Sequence, residues 1–228
     1  MSPPVLLLHG LATSAHRTWG ETGWLDLLAD AGRSTIAPNL PGHGGAPGLE
    51  DWSTLEDHVE SLLPDSPVDA VGFSLGARIL LVLASRSPER FGRLVVAGVG
   101  ANLFRDRADS SGVDSSGADL AQQLAETGDD RTPLVHHFDQ LAASSGTDPE
   151  AVRALLGRRH TPLIDADLAV LGPKVLVVLG TADFAGPADP LMERLPGARL
   201  VELRGVDHFA TPKAMGFLDA GLRHLGVD

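Results

Sequence analysis

The pattern of this chain predicts an α/β fold: a mostly parallel sheet of about six strands, flanked by helices and carrying a small helical cap insertion. Three observations carry that prediction. Six short apolar runs alternate with helix-favouring stretches along the 228 residues, and such alternation builds parallel sheets joined by right-handed crossovers. Several of the runs are continuously apolar, as strands buried on both faces must be. The alternation then breaks between about Phe104 and Pro173, a gap too long for one crossover.

The first strand is Val5-Leu6-Leu7-Leu8, which ends in His9-Gly10-Leu11. A helix-like stretch over 23–31 follows, then a strand over 34–38 and a second helical stretch over 49–63. The run Val68–Phe73 leads into Gly72-Phe73-Ser74-Leu75-Gly76 and on into the apolar, helix-favouring residues 75–84. A fourth strand covers 94–98. The break opens with an Asp-, Ser- and Gly-rich loop over 106–119. Helix-like pieces follow over 118–126, 133–144, 149–158 and 164–171. Thr147-Asp148-Pro149-Glu150 supplies a cap and a first-turn proline for the third of these. Strands over 175–179 and 199–203 finish the sheet. We therefore expect a core over 1–103 and 163–228, with 104–162 as a helical cap over the sheet's C-terminal edge.

Composition narrows the function. Apolar residues make up 43% of the chain, enough to bury roughly 70% of the unfolded surface at this size. Zero cysteines exclude disulfides, thiolate metal sites and a cysteine nucleophile. A net charge of −12 argues against nucleic acid or an anionic membrane as partner. The N-terminus lacks a basic leader, and no apolar stretch is long enough to span a bilayer. A cytoplasmic protein acting on a small molecule is expected, without cofactor or metal; its oligomeric state stays open.

Sites in open α/β sheets form at the carboxyl ends of strands, so the polar residues just beyond each strand matter most. Ser74 follows the third strand on a sharp turn into a helix, where free N–H groups favour negative charge. Gly180-Thr181-Ala182-Asp183 follows the fifth, and Gly205-Val206-Asp207-His208-Phe209 the sixth. A serine needs an imidazole to take its proton, and the imidazole needs a carboxylate to orient it. Ser74, Asp183 and His208 supply the three. A tetrahedral oxyanion needs preorganised donors, for which the N–H groups of Leu11 and Leu75 are the candidates.

On these residues the chain resembles the α/β-hydrolase superfamily over nearly its whole length. Pro41-Gly42-His43-Gly44 and Leu195-Pro196-Gly197-Ala198 add to the match. The resemblance implies Ser74 as nucleophile, His208 as base, Asp183 as acid, and Leu11 and Leu75 as oxyanion donors. It implies a serine hydrolase cleaving a small to medium apolar carboxylic ester, thioester or lactone through an acyl-enzyme. Carbon–carbon bond hydrolysis, lyase or perhydrolase chemistry and a non-catalytic receptor are the alternatives. A serine at position 74 argues against the dehalogenases and epoxide hydrolases of this fold, which use aspartate there. The family's N-terminal hairpin is missing, which predicts a trimmed sheet of six strands. Asn39 stands where an aspartate is common. Some relatives place the acid after the fourth strand, where this chain offers Asn102 and Asp106.

The remaining candidates are assigned by position. Phe73, Phe184, Phe209, Trp19 and Phe138 are expected to wall an apolar pocket, and Trp24 to lie in the core. His9 and His43 are expected to hold loop geometry. His16, His58, His160 and His224 are expected on surfaces or helices, and Asp189 in a turn or cap. His136 and His137 are neighbours on a helix and so point different ways. Arg78, one turn beyond Ser74, is expected on a helix flank.

Overall fold

The computed structural model describes residues 2–104, 133–158 and 160–227. Strands β1 (Val5–Leu8), β2 (Thr35–Ile36), β3 (Val68–Phe73), β4 (Phe91–Ala97), β5 (Val175–Gly180) and β6 (Arg199–Leu203) form one sheet in the order β2-β1-β3-β4-β5-β6. All five pairings are parallel. The chain leaves β1 toward β2 on one side and returns to β3 on the other. The switch point of the sheet therefore lies between β1 and β3, where such sheets open a crevice.

Every residue of β1, β3 and β5 is buried, because each strand feeds two cores. Leu6, Leu8, Ala70, Leu94, Val96 and Val177 face one layer of helices. That layer holds α2 (Leu55–Glu60), α3 (Leu75–Arg86), α6 (Asp165–Ala169) and α7 (Asp189–Arg194). Val5, Leu7, Val71, Val95, Leu176 and Val178 face the other, formed by α1 (Trp24–Asp30) and α8 (Met215–Leu225). Period-two alternation thus decides the layers even where every residue is apolar.

The expected helix over 49–63 is shorter, a 3₁₀ turn at Trp52–Thr54 followed by α2. Asp189 opens α7 and does not merely cap it. His224, expected on a surface or helix, lies on α8 but is buried. Its Nε2–H donates to the Lys174 carbonyl at 2.8 Å.

The loop over 106–119 and the helix-like 118–126 lie outside the described residues. Beyond them, α4 (Pro133–Ser145) and α5 (Pro149–Gly157) form as expected, α5 capped by Asp148, whose carboxylate accepts the Glu150 N–H at 2.9 Å. Val135, Phe138, Ala142 and Val152 pack on Ala12, Leu11 and Phe209. These two helices therefore rest on the loops that follow β1 and β6, at the C-terminal edge of the sheet. At the far end of α5, Arg158 donates to both carboxylate oxygens of the buried Glu56, at 2.9 and 2.5 Å.

Two arginines brace the chain where it leaves and rejoins the core. Arg78 on α3 donates to the Leu103 carbonyl at 3.4 Å and to the Thr161 carbonyl at 3.0 Å. Arg194 on α7 lies 4.2 Å from the Phe104 ring centroid and donates to Asp165 at 2.8 Å. Each arginine touches both stems.

Candidate active site

Between the last residue of β3 and the first of α3, Ser74 alone makes the turn, with φ 52 and ψ −112. A residue with a Cβ adopts such a conformation at a cost of about 1–3 kcal/mol, so the surroundings must impose it. The flanking glycines let that happen. A Cβ on Gly72 would lie 2.6 Å from Ala77 Cα, and one on Gly76 only 2.1 Å from the Leu8 carbonyl oxygen. The Ser74 N–H donates to the Ala97 carbonyl at 2.8 Å, which ties the turn to β4.

The loops after β5 and β6 are stitched together. Thr181 N–H donates to the Leu203 carbonyl at 3.0 Å, and Ala182 N–H to the Val206 carbonyl at 3.1 Å. The Gly205 N–H donates to Thr181 Oγ1 at 2.8 Å. This seam brings Asp183 beside His208. The Asp183 side chain is fully buried, and its carboxylate accepts from His208 Nδ1 at 2.9 and 3.0 Å and from the Ala185 N–H at 2.8 Å. A carboxylate can only accept, so Nδ1 carries the proton and Nε2 is left to accept. Ser74 Oγ lies 3.0 Å from that Nε2. The imidazole also packs against Phe73 and Phe184, with centroids 5.0 and 4.3 Å away.

Above the serine, the turn after β1 is held by two buried histidines. His9 Nδ1–H donates to the Gly10 carbonyl at 2.8 Å, while its Nε2 accepts the Leu40 N–H at 2.9 Å. His43 Nδ1–H donates to the Pro41 carbonyl at 2.9 Å, while its Nε2 accepts the Ala12 N–H at 3.1 Å. Both rings must be neutral to accept. Burial lowers the pKa of His9 to about 3, with help from His43, and burial lowers that of His43 as well. Asn39 adds to the clamp, accepting the Ala15 N–H at 2.9 Å and donating to the Gly44 carbonyl at 3.1 Å. A Cβ on Gly10 would stand 3.4 Å from Ser74 Cβ, so this turn presses directly on the serine. Leu11 is the next residue, and Leu75 opens α3, where a first-turn N–H has no partner within the helix.

The structure places the five residues expected to wall the pocket in three different surroundings. Phe73, Phe138 and Phe209 line a cavity of about 160 Å³ that also touches Leu11, Ser74 and His208. Phe184 is 45% exposed and covers the outer side of the His208 ring, not the cavity. Trp19 is not a wall residue. It is fully buried against Trp24 and Phe217 under the opposite face of the sheet. The π-helical turn His16–Gly20 sends Trp19 into that core, while Arg17 on the same turn lines the cavity. Thr13, Arg17, Glu21, His137, Leu141 and Lys213 were missed as liners. Only Thr13, five residues beyond β1, carried a positional signal; the others come from later turns and from α4. Asn102 caps its own turn by accepting the Gly100 N–H, and Asp106 lies outside the described residues. Among those residues no group of three or more potential metal ligands occurs, and no helix is long and apolar enough to cross a membrane.

A hydroxyl, an imidazole and a buried carboxylate in hydrogen-bonded file at the switch point of a parallel sheet define a class: enzymes of the α/β type. The sequence model of the alpha/beta hydrolase family matches residues 5–219, and the chain belongs to that family. A pimeloyl-[acyl-carrier protein] methyl ester esterase of Aromatoleum aromaticum is 41% identical over 98 residues, 42% of this chain but only 37% of that protein. One of Neisseria meningitidis is 28% identical over 228 residues, covering 90% of this chain and 85% of its own length. Among solved structures, the alpha/beta hydrolase MGS-M2 from a Medee basin deep-sea metagenome library superposes with a TM-score of 0.76. It covers 99% of this chain and 90% of its own at 19% identity, which is a likeness of fold.

Proposed function

We infer that the chain hydrolyses a small to medium carboxylic ester, thioester or lactone through an acyl-enzyme on Ser74. The observation that carries the reading is the file from Ser74 Oγ through His208 to Asp183, with contacts of 3.0 and 2.9 Å. His208 Nε2 takes the Ser74 proton as Oγ attacks the carbonyl, and Asp183 stabilises the imidazolium that forms. The N–H groups of Leu11 and Leu75 receive the oxyanion. The protonated imidazole then gives its proton to the leaving group, and water resolves the acyl-enzyme by the reverse sequence. The relatives carrying an esterase name support an ester as substrate. The cavity, about 160 Å³ with Phe73, Phe138 and Phe209 on its walls, suits a short apolar group. The helices α4 and α5 serve as a cap over this cavity, supported by their packing on Leu11, Ala12 and Phe209.

The test is labelling with a fluorophosphonate probe, wild type beside Ser74→Ala, followed by mass mapping and an ester panel. A single adduct on Ser74, absent from the folded variant, with turnover of short esters lost by about 10⁴-fold or more, is expected. A folded wild type that neither labels nor turns over any ester would overturn the reading.

A further inference from the structure

The cavity is apolar around the serine but not at its edge. Arg17, Glu21 and Lys213 line it along with Ser74 and the phenylalanines. Arg17 and Glu21 also face a shallow polar cleft on their other side, so they stand where the cavity gives way to the surface. Arg17 is partly engaged: it donates to Ser144 Oγ, and its Nε lies 4.0 Å from Glu21. Lys213 is exposed and has no ion-pair partner among the described residues. Its place is fixed by the same loop that carries His208. Thr211, two residues before it, donates from N–H and Oγ1 to the Asp207 carbonyl at 3.2 and 2.9 Å. The 3₁₀ turn Thr211–Lys213 packs against the π-helical turn bearing Arg17. Two cations and one carboxylate, carried on two packed turns and the residue that follows one of them, thus line the same cavity.

That local excess is opposite in sign to the chain, whose net charge is −12. A surface this acidic repels anions unless cations are placed at the site. We propose that Lys213, with Arg17 beside it, recognises a carboxylate carried by the substrate a few atoms from the scissile bond. The substrate class is then the small ester with a free carboxylate on its acyl part, the apolar stem lying along Phe138 and Phe209 and the anionic end at the rim. A planar carboxylate fits the guanidinium fork and the ammonium together. This rests on the ester-hydrolase reading above and specifies its substrate.

The experiment compares monoethyl adipate with the ethyl ester of adipic monoamide, which has nearly the same shape and no charge. In wild type at low salt, kcat/KM should favour the acid by about fivefold, the strength of an exposed ion pair. The ratio should fall toward one in Lys213→Gln, drop below one in Lys213→Glu and rise in Glu21→Gln. It should stay at the wild-type value in Arg204→Gln, which removes an exposed cation that does not line the cavity. Calorimetric binding of the same two esters to Ser74→Ala reads the preference without turnover. If neither ester is hydrolysed yet the acid binds more tightly through Lys213, the ester-hydrolase reading fails and the carboxylate site stands. A wild-type preference of one or less by both readouts, or one that Lys213→Gln leaves unchanged, would overturn the proposal.

Discussion

The floor and the rim of the cavity are built in different ways. On the floor, each candidate group hangs from backbone that its neighbours leave no freedom. Ser74 is forced to positive φ between glycines that admit no Cβ, and Asp183 and His208 sit on two loops sewn together by main-chain bonds. His9 and His43 hold the Leu11 turn through backbone N–H groups. On the rim, Arg17, His137 and Lys213 reach in from peripheral turns and a surface helix, and Lys213 is exposed. Reaction chemistry needs placement within a fraction of an ångström and therefore a rigid frame. Selectivity needs only the right side chain pointing inward, which a peripheral turn can change without disturbing that frame.

The sharpest way to break the contrast is on the floor. Asp183→Asn keeps the shape but lets the wrong imidazole tautomer compete, and kcat on a short ester should fall by about 10⁴-fold with little change in KM. A loss of tenfold or less would mean that another group orients His208. Next comes the anchoring of α5. Arg158→Leu leaves the Glu56 carboxylate buried without its partner, which burial alone would push toward protonation. Stability measured by urea unfolding should drop by about 3–5 kcal/mol, and a double variant with Glu56→Leu should recover much of that.

The smallest effect is set by pH. His9 and His43 are held below the ordinary value of 6.5 by burial, so between that value and about 3 the unfolded chain binds more protons than the folded one. The contribution of each is complete above pH 6.5 and is lost progressively as pH falls below it, for His9 down toward about 3. Urea midpoints should therefore decline from pH 7 to 4.5, and the decline should be shallower in His43→Gln. A flat profile in wild type would show that these rings are not kept neutral by the fold.

The same division explains what could be read from the chain. A strand that must be buried on both faces has to be continuously apolar, so β1, β3 and β5 are plain in the residues. Backbone that no side chain could tolerate has to be glycine, so Gly72 and Gly76 mark the turn around Ser74. Trp19 was misassigned because the π-helical turn His16–Gly20 has no periodicity that tells which side chain goes under the sheet and which goes to the cavity. Lys213 and the half-buried Arg17 stayed invisible because a cation on a peripheral turn looks like any surface charge until the turns carrying it are packed together. The helix over Met215–Leu225 went unassigned, although Phe217, Leu218, Gly221 and Leu225 form a regular buried stripe.

The two arginine braces have a consequence for how such a molecule can change. Arg78 and Arg194 hold Leu103, Phe104, Thr161 and Asp165, which means that the exit and the re-entry of the chain are fastened before anything between them is considered. They act like the socket of an exchangeable tool. A shorter, longer or different segment spliced between those four residues would meet the same mounting, and with a partner restored to Glu56 the serine turn, tied to β4 through the Ala97 carbonyl, would stay as it is. New substrate ranges could then arise by swapping the fitting while the engine runs unaltered.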